Sequence, residues 1–341
     1  MTTQATGPAS AAPFTLAPAL LDKVWGGDRL ARFNKPVAPG ARVGESWELA
    51  DMASTSASGA GGGAQRSRIS SGPLAGLTLH DALERWGAAL LGTTPRSEEG
   101  GFPLLVKFLD AREHLSVQVH PSPAYAAAHV GAKLKTECWY ILDALPGAVI
   151  YKGLKPGVTL AQLREAIVRG DVPAVMQAVP AAVGDCHNLP SGTVHALGAG
   201  VLAAEVQTPS DTTFRVYDWE KELGRKGREM HVEQALACIL PDAPPAARRL
   251  GEREMQTELV TTPFFRVFEH RVAGNVRFEA GRCQVVTVLS GEARLRWGGT
   301  GNTGEETLAL PLGQTAVIPA ALASDTALSA QNARVLRTLL P

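Results

Sequence analysis

Four side chains that could ligate one metal ion come from separate stretches of the chain: Gln118, His120, Glu137 and His195. Gln118 and His120 are two residues apart, so on a β-strand both side chains would point to the same face. Two imidazoles, one carboxylate and one amide oxygen form a mixed set that zinc accepts, typically at about 2.0–2.2 Å, and a site without thiolates suits catalysis. Iron, manganese and cobalt accept similar donors, so the ligands alone do not identify the metal.

The turn before His195 makes it the least ambiguous of the four. The run 184–195 has the form G-x5-P-x-G-x2-H, which resembles the second metal motif of the cupins. A lone histidine such as His120 is more often a surface or hydrogen-bonded core residue. The first cupin motif fits less well, because Gln118 stands where a histidine is usual and Glu137 follows His120 at a long interval.

The same turn pattern recurs 129 positions later, where Gly313–Pro319 repeats G-x5-P. The position equivalent to His195 holds Ser324, and no histidine follows His270. Internal repeats of this kind indicate a duplicated structural unit. We therefore expect two copies of one barrel, of which only the first can hold a metal.

Seven runs, in order along most of residues 20–220, resemble the class I mannose-6-phosphate isomerases in their short bacterial form. They are 25–27 (WGG), 44–48 (GESWE), 103–107 (PLLVK), 115–121 (LSVQVHP), 135–140 (KTECWY), 192–197 (GTVHAL) and 207–218 (QTPSDTTFRVYD). The resemblance implies one zinc ion held by Gln118, His120, Glu137 and His195. It also implies reversible interconversion of D-mannose 6-phosphate and D-fructose 6-phosphate through a cis-enediol, an aldose–ketose isomerisation (an intramolecular oxidoreductase reaction). After residue 255 the chain resembles the family only as a degenerate second cupin.

Such a reaction moves a proton between C1 and C2, so it needs an electrophile for the substrate oxygens and nearby acid–base groups. Lys135 precedes Glu137 by two residues and would face the same side, where a dication favours the neutral amine. Asp211 and Arg215 lie in the run that matches the family's catalytic arginine segment. Arg215 would stabilise developing negative charge, and Asp211 would carry a proton or orient Arg215. Which residue is the general base stays open. Each of the three residues also has a non-catalytic interpretation. Lys135 could be an ordinary exposed lysine, Asp211 could cap a turn, and Arg215 could lie on a solvent-exposed face of its strand.

A 6-phosphate needs charge-assisted hydrogen-bond donors. Ser116 has the strand parity of Gln118 and His120 and should face the pocket. Lys107 ends an apolar strand, so it lies either at the barrel mouth or in solvent. By resemblance we assign Ser116 and Lys107 to the phosphate region, and Glu48, in another matching run, to substrate binding. Packing and a structural hydrogen bond are an equally good interpretation of Glu48.

The elements that must position these residues are mainly short strands with turns at close intervals, typical of a sandwich or barrel. We predict a cupin (double-stranded β-helix or jelly-roll) catalytic barrel over 14–245, with helical insertions at 79–91 and 160–179, the latter as two helices divided at Gly170. A degenerate, metal-free cupin follows over 255–341. Residues 1–13 read as a disordered tail and 53–67, rich in Gly, Ala and Ser, as a flexible loop.

Composition restricts the partners. Lys and Arg together number 33, as do Asp and Glu, and this zero net charge argues against nucleic acid or membrane surfaces. The four cysteines are far apart, and no secretory signal or long apolar run is present, which favours a reduced, cytoplasmic protein. The expected partner is a small sugar phosphate, and the oligomeric state, monomer or dimer, stays open. Competing hypotheses are a sugar-binding cupin without turnover, and an iron oxygenase or another sugar isomerase.

Overall fold

The computed structural model describes residues 10–56, 58, 64–225, 227–240, 242–298 and 304–341. Most of the predicted tail and the middle of the predicted 53–67 loop lie outside these residues. The strands are β1 (Phe14–Ala17), β2 (Ala19–Gly27), β3 (Val43–Leu49), β4 (Asp51–Met52), β5 (Gln65–Arg66), β6 (Arg68–Ser71), β7 (Leu105–Ala111), β8 (Val117–Val119), β9 (Glu137–Ala144), β10 (Val149–Leu154), β11 (Met176–Pro180), β12 (Cys186–Leu189), β13 (His195–Leu197), β14 (Val201–Gln207), β15 (Phe214–Tyr217), β16 (Gln256–Thr261), β17 (Arg266–Arg277), β18 (Gln284–Ser290), β19 (Ala293–Gly298), β20 (Glu305–Leu310), β21 (Thr315–Ile318) and β22 (Thr326–Leu339).

The α-helices are α1 (Leu79–Trp86), α2 (Ala88–Leu91), α3 (Pro123–Ala128), α4 (Leu160–Arg169), α5 (Glu220–Leu223) and α6 (Val232–Cys238), with short 3-10 helices at Arg29–Phe33, Val172–Val175 and Ala320–Asp325. The mainly β prediction is thus confirmed. None of the described helices combines the length and apolar character needed to cross a bilayer.

Three antiparallel sheets form successive layers of the molecule. The middle sheet has the order β12-β9-β14-β7-β3-β2, and a five-stranded sheet, β11-β10-β13-β8-β15, covers one of its faces. The largest sheet runs β16-β17-β22-β18-β21-β1-β6, with β19 paired to β22 and β20. Strands β3, β7 and β14 of the middle sheet are buried along their whole length, because both faces of the sheet are covered. Leu109 packs in the core toward the five-stranded sheet, whereas Phe108 packs in the core toward the largest sheet.

Alternation along β8 and over the first part of β15 sends two kinds of side chain to opposite faces of the five-stranded sheet. Val117, Val119 and Val216 join a core that includes Leu163 of α4 and Ala235 of α6. The residues between them, Gln118 and Arg215, line the cavity between this sheet and the middle sheet. Polar residues of β8 and β15 are therefore directed inward while the helices cover the apolar face.

The largest sheet takes strands from both ends of the chain. β1 pairs with β21, with Phe14 opposite Val317, and with β6, with Leu16 opposite Ile69. Hydrogen bonding therefore crosses the predicted boundary between 14–245 and 255–341, and that division stays a prediction. The G-x5-P repeat has the same local structure in both copies: Gly184 (φ +89°) precedes β12 and Gly313 (φ +78°) precedes β21. After the second copy a 3-10 helix replaces the strand that carries His195 in the first.

The predicted helical insertions are partly confirmed. α1 begins with a capping box at Thr78, and the helical stretch breaks at Gly87 (φ +43°), giving α1 and α2. α4 ends at Gly170, but the predicted helix over 172–179 is wrong. A 3-10 turn ends at Val175, and 176–180 form strand β11 on the edge of a sheet. Ladder bonds to β10 outweighed local helix propensity there.

The predicted 53–67 loop is too long at its C-terminal end. Gln65–Arg66 form strand β5, which pairs with β4. Ser67 is buried, and its hydroxyl accepts a hydrogen bond from the Ala50 N–H at 2.9 Å. The sequence of this end is polar, so only the pairing with β4 shows that it is ordered.

Candidate metal centre and active site

Three buried side chains converge where strands of the two facing sheets come together. His120 directly follows β8, Glu137 opens β9 and His195 opens β13. Their potential ligand atoms all lie within 4.8 Å of one another. His195 Nε2 is 3.2 Å from Glu137 Oε1, and His120 Nε2 is 3.4 Å from Glu137 Oε2. The three residues are at most 1% exposed.

Both imidazoles are held by backbone carbonyls on the far side of the ring. His120 Nδ1 donates to Thr212 O at 2.9 Å and His195 Nδ1 donates to Thr193 O at 2.8 Å. This arrangement leaves each Nε2 as the lone-pair nitrogen facing the cluster, which is the usual orientation of a metal-binding histidine.

The cluster leaves buried polar atoms unsatisfied. Among the described residues, His120 Nε2 and Glu137 Oε1 have no hydrogen-bond partner, and Glu137 Oε2 has only the ion pair with Lys135 Nζ at 2.8 Å. Buried polar atoms without partners are costly and need an explanation. A divalent cation between the three side chains would satisfy all these atoms, so the residues present fit a metal.

Gln118 lies at the edge of this group. It is directly opposite His195 in the β8–β13 pair, and its Nε2 is 3.5 Å from His195 Nε2. Its Oε1 accepts a hydrogen bond from Ser116 Oγ at 3.4 Å. Half a turn of the amide would present Oε1 toward the cluster instead, which is the orientation that a fourth ligand needs.

Electrostatics place the cluster in the protonation state that a metal requires. Burial, aided by the Lys135 charge, lowers the pKa of His120 to about 3, so the ring is neutral at pH 7. Burial alone would raise the pKa of Glu137, but the Lys135 ammonium and the two neighbouring imidazoles outweigh it and hold that pKa well below its usual range. A neutral imidazole and an ionised carboxylate are the ligating forms.

The predicted catalytic residues Lys135 and Arg215 lie beside the cluster. Lys135 Nζ is 2.8 Å from Glu137 Oε2. Arg215 is opposite Gln118 in the β8–β15 pair, and its Nη1 donates to Glu229 O at 2.7 Å while its buried Nε has no partner among the described residues. Both residues line one cavity, together with Trp25, Glu45, Lys107, Leu109, Leu115, Ser116, Gln118, Trp139, Glu205, Thr213 and Arg228.

Asp211 is not among the residues that line this cavity. Its carboxylate accepts a hydrogen bond from the Thr55 hydroxyl and another, at 2.9 Å, from the Ser56 N–H. It therefore fastens the segment after β4 to the turn that leads to Thr212, whose carbonyl orients His120. Its predicted role as a proton carrier stays a prediction.

Two of the three predicted substrate-binding residues line the cavity. Ser116 is at its wall, and Lys107 is buried there with its Nζ 3.0 Å from Glu205 Oε2 and 2.9 Å from Gln207 Oε1. Glu48 is not brought to the cavity. Its two oxygens accept hydrogen bonds from Lys35 Nζ and Ser46 Oγ, each at 2.6 Å, so the structural interpretation accounts for Glu48.

Sequence reasoning missed Glu45, Glu205 and Arg228. Glu205 lies in the otherwise apolar strand β14, accepts a hydrogen bond from Trp139 Nε1 at 2.9 Å and faces Lys107 across the sheet. A charged residue within an apolar strand is a signal that could have found it. Arg228 stands in a basic run after β15, and no local pattern distinguishes it from a surface arginine.

The fold and the site together define a class. An antiparallel β-sheet barrel with two inward histidines and a glutamate at converging strand ends is a cupin with a candidate metal centre.

Comparisons with known proteins identify the family. Residues 14–141 match the model of the phosphomannose isomerase type I catalytic domain. The chain is 36% identical over 316 residues to the mannose-6-phosphate isomerase of Streptococcus mutans serotype c, covering 91% of this chain and 93% of that protein. It is 34% identical over 290 residues to mannose-6-phosphate isomerase ManA of Bacillus subtilis, covering 83% and 87%. A crystal structure of the mannose 6-phosphate isomerase from Bacillus subtilis superposes with a TM-score of 0.80 at 28% identity, covering 96% of this chain and 99% of that one. The chain belongs to the type I mannose-6-phosphate isomerase family, and the resemblance found in its sequence motifs is confirmed.

Proposed function

We propose that this chain catalyses the reversible interconversion of D-mannose 6-phosphate and D-fructose 6-phosphate, with one zinc ion per chain held by Gln118, His120, Glu137 and His195. The observation that carries the proposal is the buried cluster of His120, Glu137 and His195, whose potential ligand atoms lie within 4.8 Å of one another. The cluster adjoins a cavity that Gln118 and Lys135 line. The names of the relatives support the substrate, and the nitrogen and oxygen donor set suits zinc.

When bound, the ion supplies a Lewis acid that stabilises negative charge on the substrate oxygens. The chain's own residues do the rest. Arg215 directs a guanidinium into the cavity, where its unpartnered Nε can donate to the oxygen that gains charge as the enediol forms. Lys135, held 2.8 Å from Glu137, is placed to move the proton between C1 and C2.

The remaining walls limit access of water to the reacting carbons. Trp25, Leu109, Leu115 and Trp139 line the same cavity as the polar residues, and all four are buried. Excluding water from the cavity strengthens the interactions of Arg215 and protects a reactive enediol from side reactions.

The experiment that tests the proposal is a coupled assay on mannose 6-phosphate with the purified protein, before and after chelation, with zinc, manganese, cobalt and iron restored one at a time. We expect activity to vanish on chelation and to return with zinc. Glu137→Gln should abolish metal binding in elemental analysis, whereas Glu258→Gln, which alters a carboxylate paired with Arg266 on β17, should keep both metal and activity. A fully metallated protein without isomerase activity would defeat the proposal, and iron-dependent oxygen uptake would favour an oxygenase.

We propose further that the protein is cytoplasmic and that the region over 255–341 is a metal-free second cupin. All four cysteines are buried and free, which suits a reducing compartment. Among the described residues, the group of His, Cys, Asp or Glu close enough to hold an ion is the one in the first barrel.

A further inference from the structure

Four cationic residues line the active-site cavity, and they differ in solvent exposure and in their ion pairs with carboxylates. Lys107 and Lys135 have side chains only 8% and 5% exposed, and each is paired with a buried glutamate. Arg215 is 7% exposed. The side chain of Arg228 is 31% exposed, so it is at the solvent end of the cavity whose inner wall holds Gln118.

Asp218 fixes the guanidinium of Arg228. Its two carboxylate oxygens accept hydrogen bonds from Nε, at 2.5 Å, and from Nη2. These two hydrogen bonds use two of the five N–H donors of the guanidinium and fix its plane. The remaining donors lie on the edge of the guanidinium that points away from Asp218. A planar edge of this kind matches the geometry of a phosphate.

Asp218, the partner of Arg228, is firmly attached to the barrel. Trp219, next to Asp218, has a positive φ of 59°, and its Nε1 donates to Leu115 O at 2.6 Å. Arg225 donates to His114 O at 2.6 Å and to Glu113 at 2.9 Å, and it also lies 3.6 Å from Asp218. A non-glycine residue in the left-handed region persists only where its surroundings hold it, so the position of Asp218 is well determined.

Of the two candidate donors to a phosphate, Lys107 and Arg228, the surrounding charges favour Arg228. Lys107 is flanked by two carboxylates, since it pairs with Glu205 and is attracted by Glu45, and a phosphate there would be repelled by both. Arg228 is paired with one carboxylate, that of Asp218, and shares the cavity lining with a second cation, Arg215. Burial, and then the nearby Arg228 charge, lowers the pKa of Arg215, and a dianion between the two guanidinium groups would relieve that repulsion.

We infer that Arg228, held by Asp218, is the residue that contacts the 6-phosphate and makes the enzyme specific for phosphorylated sugars, whereas Lys107 stabilises the barrel interior. This inference rests on the proposed function, because it assumes that the sugar end of the substrate lies at the metal cluster. A substrate spanning the cavity would then place its phosphate at the open end, beside Arg228.

The test uses the zinc-loaded full chain and three variants: Arg228→Gln, Arg228→Lys and, as a matched control, Arg249→Gln, which alters an exposed arginine paired with Asp185. We expect Arg228→Gln to raise both the KM for mannose 6-phosphate and the inhibition constant of inorganic phosphate at least tenfold, the change that corresponds to about 1.4 kcal/mol. The kcat should change less than threefold. Arg228→Lys keeps the positive charge but loses the two-pronged hydrogen bond to Asp218, so its KM and inhibition constant should lie between those of Arg228→Gln and the unchanged protein. Arg249→Gln should have the same constants as the unchanged protein.

An inhibition constant for phosphate within twofold of the original in Arg228→Gln would overturn the inference, as would a fall in kcat with KM unaltered. If circular dichroism shows that Arg228→Gln does not fold, the test uses Arg228→Lys instead. A change of less than threefold in its inhibition constant for phosphate would then overturn the inference. Calorimetric titration of the chelated proteins with inorganic phosphate separates this inference from the proposed function. Arg228-dependent phosphate binding without isomerase activity would sink the proposed function and leave the anion site standing.

Discussion

Lys107 and Glu205 provide a test of whether the cavity interior is held together by a buried ion pair. They are opposite each other on β7 and β14, within a row of side chains that crosses the middle sheet. Trp47 flanks the row on one side, with Lys107 Nζ 5.0 Å from its ring centroid. On the other side Trp139 donates to Glu205 at 2.9 Å. The lysine and the glutamate are 6% and 3% exposed.

We predict that Lys107→Met will destabilise the protein by about 3–5 kcal/mol, since it leaves the Glu205 carboxylate buried without its cation. At about 2–4 °C per kcal/mol, the melting temperature should fall by on the order of 10 °C. The double variant Lys107→Met with Glu205→Gln removes both charges at once and should recover more than half of that loss, because replacing a whole buried pair by uncharged groups of similar volume is often close to neutral.

The assay is urea unfolding of the two single variants and the double variant, analysed as a double-mutant cycle. Coupling of at least about 2 kcal/mol would agree with a buried pair. A melting temperature of Lys107→Met within 2 °C of the original, or a double variant no more stable than the single one, would refute the reasoning. Lys107 would then be free to serve the substrate after all.

Three further predictions follow from single side chains. Arg215→Gln should lower kcat by about 10²–10³-fold with little change in KM, since its donor acts on charge that develops during the reaction. Burial lowers the pKa of His270 from 6.5 to about 4, so unfolding takes up a proton between these values. Below pH 6.5 stability should therefore fall by up to about 1.4 kcal/mol per pH unit from this residue and level off near pH 4, and urea melts of His270→Phe should show a shallower slope. Gly313→Ala should cost more than about 2 kcal/mol in thermal melts, because the φ of +78° disfavours an L-residue and the added Cβ would lie 2.2 Å from Phe33 O.

Each of these predictions has an outcome that would contradict it. If the stability of His270→Phe depends on pH as steeply as that of the unchanged protein, the assignment to burial of His270 is contradicted. Gly40 has the same φ of +78° with nothing within 4 Å of its Cβ position, so Gly40→Ala should show only the conformational cost of about 1–2 kcal/mol. If Gly40→Ala and Gly313→Ala are equally destabilising, the clash with Phe33 is not the cause. For Arg215, a rise in KM at unchanged kcat would indicate uniform binding instead.

Local patterns were sufficient for most elements and for the metal cluster. Short strands with turns at close intervals were predicted, and Val201–Gln207, Phe214–Tyr217 and Thr315–Ile318 are examples of them. Gln118 and His120 share a face because the period of a strand is two. Both results depend only on residues close together in the chain.

The placement of Asp211, Glu48 and Arg228 could not be read in this way. Glu45 and Glu48 are three residues apart on β3, so strand periodicity sends them to opposite faces, but it does not tell which of the two faces the cavity. The structure shows that Glu45 lines the cavity and that Glu48 pairs with Lys35. Both faces of that strand are buried, so polarity does not distinguish them. A helix was wrongly predicted for residues 172–179, because the sequence of these residues does not show that 176–180 pair with β10.

The amino-acid sequence by itself determined the candidate ligands, the turn repeat and the family, because strand periodicity, turn glycines and motifs can be recognised along the chain. Only the tertiary structure decided which charges meet. It joined β1 to β21 across 300 positions, enclosed Lys107 with Glu205 and brought Arg228 beside Arg215. Electrostatic interactions act through space and depend on burial, and neither distance nor burial is encoded by position along the chain.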